Sequence, residues 1–400
     1  MSLPTDLAQH VAERAEPPGF DAVLARAGRA RRRRRTTVAS ALAAAVVVGG
    51  VALGAGGWLD PDRQSPDPAP PVPTETWDGA PEVDARLPED VREVLGEDRV
   101  HPWAVAGSES GGVAALWRGC PDDAAADRQC RSALVTRLGD DVRGSVLEGD
   151  SPTLAEVPGG WLVGDDSGLF RVSADGVRDP VVDPGGSAVP VEPGDAVVPT
   201  PGGLRLLRGT KLLPLPSPDG GEVLAAYATP AGDLVVAVPF GTGAVELRWN
   251  DGGPIWFQGR VARPGAGAVS GAAMAGHQDG VAVVLLGDAP DGSVPVLEVA
   301  SSPDAGRTWQ RARSSGDLRD LSGLAVSDVG STYLTTGSHG ALRVGAAGEV
   351  SAVQQSPQDH SVFLASDRVC LVAEAGEVDV LRCSVDDGAS WSSQALPGFR

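Results

Sequence analysis

Most apolar residues of this chain lie in short runs that end at Gly, Asp or Pro. Residues 267–315 show the pattern, because the runs GAVSGAAMAG, GVAVVLLG, VPVLEVAS and TWQRARSS follow one another with turn residues between them. This spacing predicts four short strands joined by tight turns, which together make one antiparallel sheet. The 53 glycines and 33 prolines among 400 residues agree with an all-β protein built from many such units.

One segment near the N-terminus departs from this pattern. Residues 36–59, TTVASALAAAVVVGGVALGAGGWL, contain no charged residue and are long enough to cross a bilayer as a helix. The run RARRRRR at 29–35 precedes them, and positive residues on one flank keep that flank in the cytoplasm. The sequence therefore predicts a single uncleaved transmembrane helix, with residues 1–35 as a basic cytoplasmic head.

The rest of the chain is expected to lie outside the cytoplasm. Residues 60–76 are rich in proline and predict a stiff linker, so the globular part spans residues 77–400. Similar heads precede the anchor in many actinobacterial envelope proteins, and the near absence of lysine resembles proteins of GC-rich bacteria. These features predict a cell-membrane protein with one N-terminal span.

Charge separates the head from the globular part. The formal net charge of the chain is −20, yet residues 1–35 hold eight arginines against four acidic residues. The acidity therefore belongs to the part beyond the head, which would repel a nucleic acid or an anionic membrane surface. We expect no nucleic-acid partner for this protein.

The four cysteines all lie in the outer part, as expected for disulfides in an oxidising compartment. They fall into two pairs that are close in sequence, Cys120 with Cys130 and Cys370 with Cys383. Each disulfide would close a hairpin or a turn. A zinc site is not expected, because neither CxxC spacing nor neighbouring histidines accompany these cysteines.

The motif Ser-x-Asp-x-Gly-x-x-Trp occurs twice, within SSPDAGRTWQ at 301–310 and as SVDDGASW at 384–391. In a turn between two strands, the aspartate accepts hydrogen bonds from backbone amides, the glycine permits positive φ and the indole covers the hairpin. The motif resembles the Asp-box of sialidases and related bacterial neuraminidase repeat proteins, where it shapes the turn between the third and fourth strands of a propeller blade. Its defining positions are Ser302, Asp304, Gly306, Trp309, Ser384, Asp386, Gly388 and Trp391.

A third, degenerate copy is WNDGGPIW, which keeps Asp251, Gly253 and Trp256. In CPDDAAADRQC only Asp122 stays in register, and a disulfide would close that turn instead. The predicted turns between third and fourth strands lie near residues 122, 175, 209, 251, 304, 347 and 386. Their spacing of roughly 40–45 residues is typical of four-stranded propeller blades. A propeller of seven blades is predicted; six stays open, because the first blade has no obvious innermost strand.

The resemblance to sialidases also implies catalytic residues, since those enzymes use a tyrosine–glutamate pair, an aspartate and three arginines. The chain has two tyrosines, Tyr227 and Tyr333, both in strand-like segments, and FRVS at 170–173 lacks the proline of the family's early arginine motif. No nucleophile elbow, P-loop or zinc-protease motif occurs in the sequence. We therefore predict a non-catalytic binding or scaffolding module for an envelope protein or glycan, with a divergent sialidase-like glycoside hydrolase as the alternative.

The ligand surface is predicted on the loops between second and third strands, at the opposite end of the ring from the Asp-box turns. By this strand assignment the loops carry seven acidic residues and one histidine, and such a ring would attract a cation or a basic partner. We expect no cofactor, with calcium as the alternative. The residues of this ring are Glu109, Asp165, Asp166, Asp288, Asp291, His339, Glu374 and Glu377.

Overall fold

The computed structural model describes residues 82–400, apart from 122–129, 150, 201, 265–266, 313–317, 338–339, 346–347, 354–360 and 376–377. The predicted head, transmembrane helix and linker lie outside the described residues. Among the residues that are described, no helix is long and apolar enough to cross a membrane.

The described chain forms one short helix, α1 (Glu89–Leu95), a 3₁₀ turn at Pro218–Gly220 and seven antiparallel sheets, named here blades I to VII in chain order. Blade I consists of β1 (Arg99–Gly107), β2 (Val113–Cys120), β3 (Arg131–Leu138) and β4 (Asp141–Leu147). Blade II consists of β5 (Thr153–Val157), β6 (Gly160–Asp165), β7 (Gly168–Ser173) and β8 (Arg178–Pro180). Blade III consists of β9 (Ala196–Thr200), β10 (Gly203–Arg208) and β11 (Lys211–Pro214).

Four further blades complete the ring. Blade IV consists of β12 (Ala225–Ala228), β13 (Leu234–Phe240), β14 (Ala244–Asn250) and β15 (Phe257–Ala262). Blade V consists of β16 (Val269–His277), β17 (Gly280–Gly287), β18 (Val296–Ser302) and β19 (Gln310–Ala312). Blade VI consists of β20 (Leu321–Val326), β21 (Thr332–Thr336), β22 (Gly340–Val344) and β23 (Val350–Ala352). Blade VII consists of β24 (Ser361–Ala365), β25 (Arg368–Ala375), β26 (Val378–Ser384) and β27 (Ser392–Ala395).

Each pair of neighbouring blades encloses its own apolar cluster, so the core consists of separate layers between sheets. The second strands are buried almost throughout, as in the burial of β2, β13 and β17, because both of their faces pack on a neighbouring blade. The cluster between blades VII and I holds Trp117, Cys370 and Leu381 and closes the ring. The prediction of a seven-bladed β-propeller is thereby confirmed.

The two ends of the described chain meet at this closing seam. Val83 and Phe399 form an antiparallel bridge, and the amide of Arg400 donates to the carbonyl of Glu82 at 2.9 Å. The indole nitrogen of Trp117 donates to the carbonyl of Pro397 at 2.8 Å. We call these paired residues, 82–87 and 397–400, the terminal clasp; they tie blade I to the chain beyond blade VII.

The strand assignment of the first blade was wrong in two respects. β1 is a complete innermost strand, so the first blade lacks nothing. The disulfide between Cys120 and Cys130 confirms the predicted pair, but it closes the loop between the second and third strands. The turn between the third and fourth strands lies at Gly139–Asp140. The prediction placed this turn near Asp122 on the evidence of a single matching motif residue, which was not enough to locate it.

The second predicted disulfide, between Cys370 and Cys383, is also confirmed. These two residues are direct cross-strand neighbours on β25 and β26, with Cα atoms 4.1 Å apart. Both are buried in the cluster between blades VII and I. The bond therefore links two adjacent strands of the last blade at the seam, rather than closing a turn.

Blade III is the one described blade without an innermost strand. Val191 and Pro193 pack on Gly252 and Gly232, which lie in the third-to-fourth and first-to-second turns of blade IV. These turns of blade IV mark the end of the ring at which second strands begin. Because Ala196 lies only three residues after Pro193, β9 begins at this same end. The three strands of blade III are therefore its second, third and fourth, and the inner ring of first strands has a gap between β5 and β12.

Candidate functional site

The turn at 302–309 is held by side-chain hydrogen bonds to its own backbone. The amide and hydroxyl of Thr308 both donate to the carboxylate of Asp304 at 2.7 Å, and the amide of Gly306 donates to the hydroxyl of Ser302 at 2.8 Å. The indole of Trp309 donates to the carbonyl of Gly306 at 2.9 Å, and Gly306 has a φ of 84°. Every defining residue of the motif thus serves the turn itself.

The turn at 384–391 repeats this geometry. The amide and hydroxyl of Ser390 donate to Asp386 at 2.7 and 2.6 Å, and the amide of Gly388 donates to Ser384 at 2.8 Å. Trp391 donates to the carbonyl of Gly388 at 3.1 Å, and the φ of Gly388 is 86°. Both turns join the third strand of a blade to its fourth, and both tryptophans lie one residue before the fourth strand.

The degenerate copy at 249–256 forms a different turn. Asn250 organises it, donating to the carbonyls of Gly253 and Ile255 and accepting from the amide of Gly252 at 2.8 Å. Positive φ occurs at Gly252, not at Gly253, and Asp251 accepts only a long bond of 3.3 Å. Asp251 and Gly253 therefore do not take the places of the aspartate and glycine in the two full copies. Trp256 packs at the edge of the cluster between blades III and IV.

We expect Asp304→Ala and Asp386→Ala each to lower the free energy of unfolding by about 1–3 kcal/mol, because each leaves one turn amide and two turn hydroxyls without their acceptor. Hydrogen bonds from Ser390 and Ser384 lower the pKa of Asp386, so its contribution is present above the ordinary carboxyl pKa and is lost on acidification below about pH 4. Urea unfolding at pH 7 measures the change. The Asp→Asn variants are the controls, since an amide oxygen still accepts, and an equal loss in both substitutions would contradict the assigned role.

Two residues of the predicted acidic ring are neutralised by arginines. Asp165 accepts from the amide and hydroxyl of Ser167 and lies 3.7 Å from Arg178, and its side chain is 2% exposed. Asp291 accepts from Arg319 at 2.9 Å. The sequence analysis missed these arginines because they lie outside the predicted loops. Arg178 is on β8, and Arg319 lies in the segment before β20.

The remaining residues of that ring are only partly described. Asp166 and Asp288 are exposed at the end of the ring where second strands meet third strands. Glu109 lies in the turn between β1 and β2, so it belongs to the opposite end; the prediction misplaced it together with the strands of the first blade. His339, Glu377 and the side chain of Glu374 lie outside the described residues.

At the opposite end, acidic residues surround a tyrosine inside the ring. Tyr227 lies on β12, a first strand, and its ring packs on Gly276 of β16. A Cβ atom at position 276 would lie only 2.4 Å from the tyrosine ring. The carboxylates of Glu109, Glu156 and Asp279 are near enough to act on this phenol. Glu156 lies on β5, on the far side of the gap that blade III leaves in the inner ring. We call these four residues the channel cluster: Glu109, Glu156, Tyr227 and Asp279.

The channel cluster is electrostatically strained. Burial and the neighbouring Glu109 raise the pKa of Glu156 to about 7, although the residue keeps an exposed surface. Burial and the three carboxylates raise the pKa of Tyr227, whose hydroxyl donates a long bond of 3.4 Å to the carbonyl of Gln278. No arginine contributes to either shift. Such a cluster favours positively charged groups and opposes anions.

The pKa of Glu156 predicts how stability responds to pH. A raised carboxyl pKa means that the folded state binds a proton more tightly than the unfolded one, so stability falls as pH rises from about 4.5 to about 7. We expect Glu156→Gln to raise the melting temperature at pH 8 and to have little effect at pH 4.5. Scanning calorimetry at both values checks this, with Glu222→Gln on the exposed surface as control. A larger benefit at pH 4.5 than at pH 8 would contradict the assignment.

No group of three His, Cys, Asp or Glu side chains in the described part of the chain is placed to hold a metal ion.

The two tyrosines, Tyr333 and Tyr227, lie in different surroundings. Tyr333 is fully buried on β21 and donates to Asp387 at 3.1 Å, so it is a core residue. Tyr227 is half-buried and is part of the channel cluster.

No protein-family model matches the chain, and no curated protein is similar to it. Among solved structures, it is similar to an acylaminoacyl peptidase of Pyrococcus horikoshii (10% identity, TM-score 0.41), covering 76% of this chain and 53% of the peptidase. It is also similar to an Aleuria aurantia lectin variant in complex with Fucalpha1-6GlcNAc (10%, 0.33; 75% and 96% covered). A Trypanosoma rangeli sialidase in complex with sialic acid matches as well (10%, 0.32; 74% and 54% covered). The chain thus spans about half the length of the peptidase and of the sialidase.

Proposed function

We propose that this chain is a membrane-tethered, extracytoplasmic β-propeller that acts as a non-catalytic binding or scaffolding module. Its ligand is an envelope protein or glycan that presents a positively charged group to the channel cluster. The observation that carries the proposal is that three carboxylates from different blades, those of Glu109, Glu156 and Asp279, lie near enough to act on the phenol of Tyr227. An aromatic face and carboxylates together suit an ammonium or guanidinium group.

The electrostatics of the channel cluster speak against sialidase chemistry there. A tyrosine nucleophile needs a lowered pKa or a base that leaves it anionic, whereas the surroundings of Tyr227 raise its pKa. A sialic acid carboxylate would need arginines, and the charges acting on Tyr227 and Glu156 are carboxylates. The turns at 302–309 and 384–391 lie at the same end of the ring as the channel cluster, but their motif side chains form hydrogen bonds within each turn. These bonds support the assignment of both turns as structural Asp-boxes.

The tether rests on the charge-free segment 36–59 and the arginines that precede it. External protease added to intact spheroplasts is expected to digest residues 60–400 and to spare the head. Protection of the outer part in intact spheroplasts, with digestion only after lysis, would contradict this topology.

Binding and turnover are measured on the purified full chain in detergent. We expect calorimetric titration with a decalysine peptide to show saturable binding that weakens with salt, and titration with decaglutamate to show none. Calcium chloride is titrated in parallel, because a divalent cation is the other ligand that carboxylates attract. A fluorogenic sialoside is expected to remain intact; its hydrolysis, lost in Glu156→Gln, would replace the binding module by the glycoside hydrolase.

A further inference from the structure

A second charged site lies at the closing seam. A groove of about 420 Å³ runs between the turn that joins β3 to β4 and the outer strand β27. Three arginines line it, Arg86, Arg137 and Arg400, although the chain as a whole is strongly acidic. The groove is therefore a local cluster of basic side chains on a chain that is acidic as a whole.

Two of these arginines share a single carboxylate. Arg86 lies 2.6 Å from one oxygen of Asp84, and Arg400 lies 2.9 Å from the other. The Asp84 side chain is 2% exposed, and hydrogen bonds from Arg86 hold its pKa far below the usual range. The exposed carboxylate of Asp140 also borders the groove, and its carbonyl accepts from Arg86. Among the side chains that line the groove, three guanidinium groups stand against two carboxylates, and the neighbouring carboxylate of Asp141 also acts on Arg86.

Arg137 differs from the other two arginines, because neither aspartate of the groove forms an ion pair with it. Its Nη2 atom is buried and has no hydrogen-bond partner among the described residues. Burial and the like charge of Arg368 lower the pKa of Arg137. Arg368 is not a counter-ion, and it donates to the carbonyl of Gly111. Arg137 is half-buried, and a partly desolvated cation without a counter-ion is costly to a fold, a cost that a bound anion would relieve.

We propose that this groove binds a small oxyanion, the carboxylate or phosphate group of a ligand, through the guanidinium of Arg137. The planar fork of a guanidinium matches both groups with two parallel hydrogen bonds. Ser393 lines the same groove, and its hydroxyl is a further hydrogen-bond donor for a bound oxyanion. None of the residues that line this groove belongs to the channel cluster, and the groove takes a ligand of the opposite charge.

Thermal unfolding of the purified full chain tests the site. Sodium phosphate and sodium acetate are titrated at constant ionic strength maintained with sodium chloride. We expect a saturable rise in melting temperature with at least one of the two anions, as for any ligand that binds only the folded state. A response to phosphate alone assigns a phosphoryl group, and a response to acetate assigns a carboxylate. Absence of a saturable response to both anions would overturn the proposal.

Variants separate this role from a structural one. Arg137→Met is expected to abolish the response and to raise the melting temperature without anion, because it removes a partly desolvated charge. Arg137→Lys keeps the charge but loses the fork, and should weaken anion binding about tenfold. Arg143→Met, an exposed arginine on the neighbouring strand, is the control and should keep the full response. An unchanged response in Arg137→Met, or a lower melting temperature of that variant without anion, would contradict the site.

Discussion

Asp387→Ala is expected to lower the free energy of unfolding by about 3–5 kcal/mol, the cost of breaking a largely buried charge pair from one side. Asp387 accepts from the hydroxyls of Ser327 and Ser331 at 2.9 and 2.7 Å and from Tyr333 at 3.1 Å. Its carboxylate also pairs with the guanidinium of Arg343. The substitution leaves all four donors, which belong to blade VI, without the acceptor that blade VII supplies. Chemical unfolding of the full chain at pH 7 measures the loss.

The turn at 302–309 shows that the loss comes from this network and not from the backbone. The residue equivalent to Asp387 there is Ala305, which adopts the same φ of 54° and is fully buried. Alanine therefore fits the turn conformation. Asp387→Asn is the matched control, because it keeps an acceptor without the charge and should cost less. An unfolding free energy that stays within about 0.5 kcal/mol of wild type in Asp387→Ala would show that the network contributes little.

Trp117→Ala is expected to cost about 3–5 kcal/mol and to open the terminal clasp. Trp117 is 4% exposed, packs edge-on against Phe399 with ring centroids 5.0 Å apart and donates to the carbonyl of Pro397. Its removal leaves a cavity at the seam and an unpaired carbonyl. Calorimetry measures the loss, and hydrogen exchange is expected to speed up in residues 82–87 and 397–400.

Trp161→Ala provides the matched comparison for the clasp. Trp161 is fully buried between blades I and II and donates to the carbonyl of Gly107 at 2.7 Å. Its loss should destabilise the fold by a similar amount without selective exchange in the clasp. Equal exchange in both variants would mean that the clasp opens only with global unfolding.

The propeller and its seven blades were predictable because turn chemistry repeats along the chain. Asp304, Gly306 and Asp386 form hydrogen bonds with residues three or four positions away, so the spacing of the motif in the sequence is enough to predict the turn. Both disulfides were predictable for the same reason, since each pair is close in sequence. Asp251 failed as a marker because Asn250, one residue earlier, offers a better set of turn hydrogen bonds.

The channel cluster and the arginine groove were not predictable from spacing. Glu156 and Tyr227 come from blades II and IV, which are far apart in sequence, and the carboxylate acts on the phenol only in the folded ring. The sequence predicts Asp165 as an exposed loop residue, yet Arg178, on the outermost strand β8 of the same blade, neutralises its charge. The partly desolvated state of Arg137 likewise follows from burial at the seam. These features depend on contacts between blades, which local patterns do not encode.

The most direct test is to locate decalysine binding with two charge-matched double variants of the full chain. Glu109→Gln with Asp279→Asn removes two exposed carboxylates of the channel cluster, and Asp166→Asn with Asp288→Asn removes two from the other end of the ring. Calorimetric titration at one fixed ionic strength is expected to show that the first pair weakens binding about tenfold or more, whereas the second pair leaves the dissociation constant within about twofold of wild type. Loss of binding only in the second pair, or equal weakening in both, would contradict a specific site at the channel cluster.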